Sequence, residues 1–95
     1  MLFIVHCLDR AGALPVRMDH YQAHREYLAT LDSRPVEIVM SGPLVSDDGE
    51  TMIGSFFLVA ATGREAVEAF NQADPFHHAG IWESVRIHAF SKRVG

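Results

Sequence analysis

Cysteine is nearly absent from the 95-residue chain, because Cys7 is the only one. A single thiol excludes an intrachain disulfide and a cage of thiolate metal ligands. Blocks of basic residues are also missing, and the net charge of −4 disfavours a nucleic-acid partner, which needs a positive surface. No apolar run reaches the roughly 18 residues of a membrane span, and no secretory signal pattern is present. We therefore expect a cytoplasmic protein that binds neither nucleic acid nor membrane.

The apolar content is sufficient for one domain over residues 1–95, since 48% of the residues are hydrophobic. Runs of β-branched and aromatic residues predict four strands, at residues 2–8, 36–41, 52–61 and 82–91. Apolar residues spaced by three, four or seven predict a helix over about 15–32, with a stripe formed by Leu14, Met18, Tyr21, Leu28 and Leu31. A second helix is predicted from Thr62 to about Ala73. The order β-α-β-β-α-β predicts a ferredoxin-like α+β fold with a four-stranded antiparallel sheet and two helices on one face.

Short polar signals predict the ends of these elements. Gly42-Pro43 is predicted to close the second strand, and Asp48-Gly49 to form a hairpin turn before the third. Thr62 and Glu65 have the spacing of a capping box, which predicts Thr62 as the N-cap of the second helix. Asp74-Pro75 is predicted to end that helix, because the residue before a proline is displaced from the helical region.

The third strand lacks the alternation of apolar and polar residues that is expected when one face of a sheet is covered and the other is wet. Phe56 and Leu58 lie on one face, while Phe57 and Val59 lie on the other. Two short helices cover only one face, so the other would expose a larger apolar patch than monomers usually tolerate. We expect a homodimer that packs sheet against sheet around a shared cavity; the alternative is that loops cover this face.

His24 and Asp74 are the candidates for chemistry. His24 follows Tyr21 by three residues and precedes Leu28 by four, so it lies on the apolar side of the predicted helix. It is either a core histidine bonded to a backbone carbonyl or an acid–base group beside a carboxylate. Asp74 before Pro75 is typical of an N-cap that opens a short helical turn, and taken singly neither residue indicates more than structure.

A metal site is the less favoured interpretation of the six histidines. His20 and His24 are one helical turn apart, but a zinc site takes three or four ligands, and no His-Glu-x-x-His motif or cysteine set accompanies them. His77 and His78 are adjacent, so on a helical turn they diverge by about 100°. Phosphate-loop, nucleophile-elbow and dinucleotide motifs are also missing from the sequence. We expect neither a metal nor a cofactor.

Two glycine-containing segments permit both a structural and a functional interpretation. Ser41-Gly42-Pro43 and Gly54-Ser55 either serve turns and the close approach of strands, or form the wall of a ligand cavity with backbone N–H groups and serine hydroxyls.

In its ordered motifs the chain resembles the YCII-related (YciI-like) family, from the first strand to Phe90. The matching segments are Ala23-His24, Ser41-Gly42-Pro43-Leu44, Ile53-Gly54-Ser55, Ala73-Asp74-Pro75-Phe76, Ala79-Gly80 and Glu83-Ser84-Val85. The resemblance implies a dimeric α+β barrel with a catalytic histidine and aspartate, which match His24 and Asp74.

The chain departs from the family pattern in two places. Family members often carry Arg-Pro directly before the Ala-His, whereas this chain has Tyr21-Gln22. A positive charge that would hold an anionic substrate is then missing at that position, with Arg17 or Arg25 as substitutes. Ala89 replaces a proline that is common before the final aromatic residue.

The sequence thus leads to an enzyme hypothesis and two rivals. In the first, His24 and Asp74 perform general acid–base chemistry, such as elimination, isomerisation or hydrolysis, on a small aromatic or cyclic molecule. The resemblance implies lyase-like dehydrohalogenation of hydroxylated aromatics. Ser41, Gly42, Pro43, Gly54, Ser55 and Phe76 are the candidates for substrate binding. The rivals are a dimeric module that binds a small ligand without turnover and, with only the fold to support it, an oxygenase of the wider dimeric-barrel type.

Overall fold

Four strands form one antiparallel sheet in the computed structural model, which describes residues 1–31 and 35–95. They are β1 (Leu2–Asp9), β2 (Val36–Val45), β3 (Met52–Ala61) and β4 (Trp82–Phe90). The strand order is β2-β3-β1-β4, with β1 paired to both β3 and β4. The predicted ferredoxin-like α+β fold is confirmed.

Four helices accompany the sheet: α1 (Leu14–Asp19), α2 (Tyr21–Ala29), α3 (Arg64–Gln72) and α4 (Pro75–His78). The prediction of one unbroken helix over residues 15–32 is wrong. His20 ends α1 and begins α2 with φ −104° and ψ 5°, and its ring Nδ1 lies 3.0 Å from the carbonyl oxygen of Val16. The predicted end at residue 32 lies outside the described residues.

The apolar periodicity did not predict the break at His20, because the apolar side chains of the predicted stripe do not hold α1 in place. Leu14 and Met18 are exposed, whereas Arg17 is buried and forms an ion pair with Asp9. After the break, α2 turns His24 and Tyr27 toward the interior. A polar contact with β1 therefore fixes α1, and apolar packing fixes α2.

Two predicted element ends are also wrong. Gly42-Pro43 does not close β2, which continues to Val45 and pairs with β3 as far as Met52. Pro43 is tolerated there because β2 is an edge strand, where a missing N–H need not break a ladder hydrogen bond. Thr62 is not the N-cap of α3; Gly63 takes that position in an extended conformation, with no side-chain capping bond.

Two other turn predictions are confirmed. Gly49 has φ +78°, the left-handed conformation that an Asp-Gly turn requires, and Asp48 accepts hydrogen bonds from the Ser46 hydroxyl and the Glu50 N–H. These bonds lower the pKa of the exposed Asp48 carboxyl. Asp74-Pro75 ends the helical segment before it and opens α4.

The hydrophobic core lies between the helices and one face of the sheet. On that face the strands contribute Phe3, Val5, Cys7, Phe57 and Val59, and the helices add Tyr27, Val67 and Phe70. The opposite face carries Ile4, Phe56, Leu58 and Met40, placed there by the strand register. We call this the open face. Within the described ranges, no helix is both long and apolar enough to cross a membrane; the expected cytoplasmic location stays a prediction.

Candidate active site

His24 and Asp74, 50 residues apart in the chain, form a buried pair. His24 lies on α2, and its Nδ1 is 2.9 Å from Oδ1 of Asp74. Asp74 is the N-cap of α4, and the same Oδ1 accepts the Phe76 N–H at 2.8 Å. Pro75 occupies the first helical position, where its missing N–H is no loss. Asp74 therefore caps a helix and orients an imidazole at once, so the two interpretations of this residue are not alternatives.

Aromatic rings hold the imidazole of His24 in place. The Phe76 ring stacks on it at 4.1 Å between centroids with an interplanar angle of 12°, and Phe57 approaches its edge at 6.1 Å. Because Nδ1 faces Asp74, the second nitrogen, Nε2, is left for other partners, and it makes no hydrogen bond with a described residue. The imidazole thus presents one oriented nitrogen that can accept or donate a proton.

The second carboxylate oxygen of Asp74 is buried without a hydrogen bond. Of the buried side-chain nitrogen and oxygen atoms in residues 1–31 and 35–95, only Asp74 Oδ2 and Trp82 Nε1 lack a partner. Asp74 is fully buried, so its charge is poorly solvated and the imidazole of His24 is its hydrogen-bonding side-chain partner. A positive imidazolium next to this carboxylate would be stabilised.

Arg17 forms a second buried polar group beside the pair. Its guanidinium donates to both carboxylate oxygens of Asp9, at 2.8 and 2.9 Å, and to the Ser55 hydroxyl at 2.8 Å. The guanidinium carbon also lies 4.7 Å from the centroid of the Phe76 ring. Arg17 is only 1% exposed. Phe76 thus lies between the cation of Arg17 and the imidazole of His24.

From the sequence, Arg17 had only a substitute role, and the first strand was predicted to end at residue 8, one residue before Asp9. One signal was available, because Arg17 precedes His24 by seven residues, a spacing that returns to the same face of a helix. The partner was not recognisable from the sequence, since the contact joins a strand end to a helix.

A cavity of about 220 Å³ lies between α2 and the sheet. From α1 and α2 it is lined by Arg17, Tyr21, His24, Arg25 and Leu28, and from β2 and β3 by Ser41, Gly42, Pro43, Ser55 and Phe57. Four of the six residues expected to bind substrate, namely Ser41, Gly42, Pro43 and Ser55, therefore line the same cavity as His24. Among the described residues, neither a histidine nor an arginine lines a larger, open depression of about 790 Å³ near Met1.

The other two candidates for substrate binding, Gly54 and Phe76, do not line the cavity. A Cβ atom at position 54 would overlap the carbonyl oxygen of Cys7, so glycine allows β1 and β3 to approach each other there. Phe76 is fully buried behind the His24 ring. In the described part of the chain, no three His, Cys, Asp or Glu side chains come together to hold a metal ion.

Cys7 is buried on β1 near the polar groups of the site. Burial raises the pKa of its thiol from 9.0 to about 12, and the negative charge of Asp74 acts in the same direction, while a hydrogen bond from Asn71 opposes the shift. The thiol is therefore protonated and unreactive in the folded protein near neutral pH.

Comparison with known proteins decides the family. The model of the YCII-related domain matches residues 1–91. The chain belongs to the YCII-related family. The resemblance inferred from the sequence motifs is confirmed.

Relatives of this YCII-related protein agree with that assignment. Protein YciI of Escherichia coli is 28% identical over 97 residues, which cover 97% of this chain and 98% of YciI. One similar solved structure is 5-chloro-2-hydroxyhydroquinone dehydrochlorinase from Burkholderia phenoliruptrix, in complex with 2,5-dihydroxybenzoquinone. Its sequence is 34% identical to this chain, and the two structures superpose with a TM-score of 0.83. The match covers 96% of this chain and 94% of the dehydrochlorinase. A protein of Arabidopsis thaliana shares the fold at 16% identity and a TM-score of 0.54, over 99% and 96% of the two chains.

The departure of this YCII-related chain from the Arg-Pro pattern lies at the cavity itself. Tyr21, which stands where family members often carry arginine, lines the cavity. Arg25, one helical turn further along α2, lines it as well, and its guanidinium carbon lies 5.9 Å from the centroid of the Tyr21 ring. A cation is therefore present at this end of the cavity, although on a different residue.

Proposed function

We propose that this protein is a lyase-type enzyme that removes a leaving group such as a halide from a small hydroxylated ring by proton transfer. His24 is the acid–base residue and Asp74 its positioning residue. The observation that supports this proposal is the His24–Asp74 pair, whose imidazole lines a cavity large enough for one ring and whose second nitrogen makes no hydrogen bond with a described residue.

Proton transfer at His24 follows from the asymmetry of its two nitrogens. Asp74 accepts a hydrogen bond from Nδ1–H, so Nε2 has the lone pair with which it removes a proton from the substrate. The substrate reacts as its keto tautomer, in which the halogen-bearing ring carbon also carries a hydrogen. The electron pair of the broken O–H bond forms a C=O bond, the ring double bond shifts to the halogen-bearing carbon, and the halide leaves with the electron pair of the carbon–halogen bond. The atoms balance without an oxidant, because one proton and one halide ion leave the substrate. Asp74 then stabilises the imidazolium that results.

Ser55 and Arg17 supply a donor for a substrate oxygen. The Ser55 hydroxyl accepts a hydrogen bond from Arg17, so its own hydrogen can be donated into the cavity that it lines. The positive charge of Arg17 strengthens that donor. Negative charge that develops on a ring oxygen during elimination would be stabilised in this way.

The cavity volume limits the substrate to one ring. A dry cavity of about 150 Å³ is enough for benzene, and pockets for drug-sized ligands begin at about 300 Å³. The volume of about 220 Å³ fits between these limits and suits a substituted six-membered ring. The 34% identical dehydrochlorinase, solved with 2,5-dihydroxybenzoquinone, supports a hydroxylated ring as the substrate.

The proposed enzyme is active as a homodimer. Ile4, Phe56 and Leu58 lie on the open face, which no helix of the described chain covers. The register also places His6, Arg86 and His88 on this face, so its apolar part lies toward β2 and β3, where Met40 is 57% exposed. A second copy packed on this face would cover it.

Chloride release from a chlorinated hydroxyhydroquinone tests the enzymatic role. We expect His24→Gln to reduce kcat by about 10² to 10⁴, the usual contribution of a positioned acid–base group. Asp74→Asn should reduce kcat through the misplaced imidazole, with KM less affected. His78→Gln, a change of the same kind on the exposed surface of α4, should leave both constants unchanged.

Two outcomes would contradict the proposal. Full turnover by His24→Gln would show that His24 is not the acid–base residue. Binding without turnover by the wild type, lost in His24→Gln, would instead support the rival function of a non-catalytic ligand-binding module.

A further inference from the structure

The charges around the cavity are unbalanced. Of the described residues that line it, two are arginines, Arg17 and Arg25, and none is acidic. The charge of Arg17 is matched by Asp9, which accepts two of its hydrogen bonds. Arg25 forms no ion pair with any residue of the described ranges. The cavity therefore carries one cation, Arg25, whose charge is not matched by the described residues around it.

Arg25 is held near the cavity by an aromatic neighbour. It follows Tyr21 by four residues on α2, so the two side chains lie on the same side of the helix. The guanidinium carbon is 5.9 Å from the Tyr21 ring centroid, within the range of a cation–π contact. Tyr21 is half-buried and Arg25 is exposed, so the guanidinium is the more solvent-accessible of the two groups.

We propose that Arg25 is a specificity-determining residue, which binds a carboxylate carried by the substrate ring at the end of the cavity away from Asp74. This inference rests on the proposed function for the ring and its position near His24. A guanidinium presents parallel N–H donors that match the two oxygens of a carboxylate. The carboxylate supplies the negative charge that the cavity wall lacks, and the Tyr21 ring limits the directions in which the guanidinium can point.

Binding of a matched acid and amide tests the inference without any turnover. The probes are 2,5-dihydroxybenzoate and 2,5-dihydroxybenzamide, which differ in charge but little in size, and affinity is measured by isothermal titration calorimetry. We expect the wild type to bind the acid about tenfold more tightly than the amide, a preference that falls as salt is added. Arg25→Gln should lose about tenfold in affinity for the acid and less than about twofold for the amide.

Control variants separate local from general charge effects. Arg93→Gln removes the same charge beyond the end of β4, at the opposite end of the sheet from Ser55, and should leave both affinities unchanged. Arg25→Lys keeps the charge without the paired donors and should retain part of the preference. Circular dichroism of Arg25→Gln checks that the fold is intact, as expected for an exposed helical position.

Three results would overturn the inference: equal affinity of the wild type for acid and amide, no binding of the acid, or an unchanged preference in Arg25→Gln. None of these depends on catalysis, so they are distinguishable from a failure of the proposed function, which is measured as chloride release in the His24 variants. If turnover occurs, Arg25→Gln should raise KM for a ring acid and leave kcat unchanged.

Discussion

At the scale of single residues, the site depends on side chains that do two things at once. Asp74 caps α4 and orients His24, and Ser55 accepts from Arg17 while lining the cavity. Arg17 fixes α1 to Asp9 on β1 at the same time as it stacks on Phe76. A buried ion pair is weak evidence for stability, since desolvation offsets much of its Coulomb attraction. The Arg17–Asp9 ion pair instead positions the chain: it fixes where α2 begins and therefore the direction in which His24 points.

The buried thiol of Cys7 gives a prediction for stability against pH. Its pKa is raised in the folded state from 9.0 to about 12, so the folded protein resists an ionisation that the unfolded chain undergoes. This contribution is complete below pH 9 and is lost as the pH rises toward 12. Relative to Cys7→Ala, the wild type should lose about 1.4 kcal/mol of unfolding free energy per pH unit in that window.

Denaturant unfolding of both proteins at pH 8 and pH 10.5 checks this prediction. The alanine variant is the control, because it shares every other ionisable group with the wild type. A difference in unfolding free energy that stays constant between the two pH values would show that the thiol ionises freely in the folded state.

At the scale of elements, Gly54 sets the distance between β1 and β3. A Cβ atom there would overlap the Cys7 carbonyl oxygen, so Gly54→Ala must push the two strands apart. We expect a loss of about 3 kcal/mol or more in unfolding free energy, the upper range for overpacking. Urea unfolding followed by circular dichroism measures it.

Gly42 provides the matched control for this substitution. It lies on β2, and by register both glycines are on the open face, but a Cβ atom at position 42 meets nothing within 4 Å. Gly42→Ala should therefore change the unfolding free energy by less than about 1 kcal/mol. Equal losses in the two variants would mean that the open face, and not the approach of β1 to β3, disfavours the added methyl group.

Elements with local sequence signals were predictable, and elements held by contacts between distant residues were not. The four strands and α3 were predictable because their signals are local: β-branched runs, an Asp-Gly turn and the Asp74-Pro75 dipeptide. The break at His20 was not, since α1 is held by a contact between Arg17 and Asp9 that no local pattern encodes. The continuation of β2 through Pro43 depends on pairing with β3, which is likewise non-local. His24 and Asp74 were predicted as a pair with the help of the family motifs, but Arg17, Asp9 and the position of Arg25 needed the folded chain.

At the scale of the whole molecule, the fold places its chemistry on one side of the sheet and leaves an apolar surface on the other. The site lies among α1, α2, α4 and the helix-facing residues of β2 and β3, while Ile4, Phe56 and Leu58 form the open face. Apolar side chains that no helix of the described chain covers favour packing against a second copy. The oligomeric state is therefore the property of the whole molecule that most needs measurement.

Two methionines allow a matched test of the homodimer. Met40 on the open face is 57% exposed in the single chain, and Met18 on α1 is 51% exposed, so glutamate at either position should leave the folding of one chain intact. We expect the wild type to sediment with a mass twice the 10.6 kDa of the chain. Met40→Glu should shift the equilibrium toward monomer, because two like charges would be buried in the interface, whereas Met18→Glu should remain dimeric.

Since Met40 lies on an edge strand, Phe56→Glu on the neighbouring β3 provides a second variant in the same face. A monomeric wild type, or dimers that persist in both open-face variants, would show that the sheets do not pack against each other.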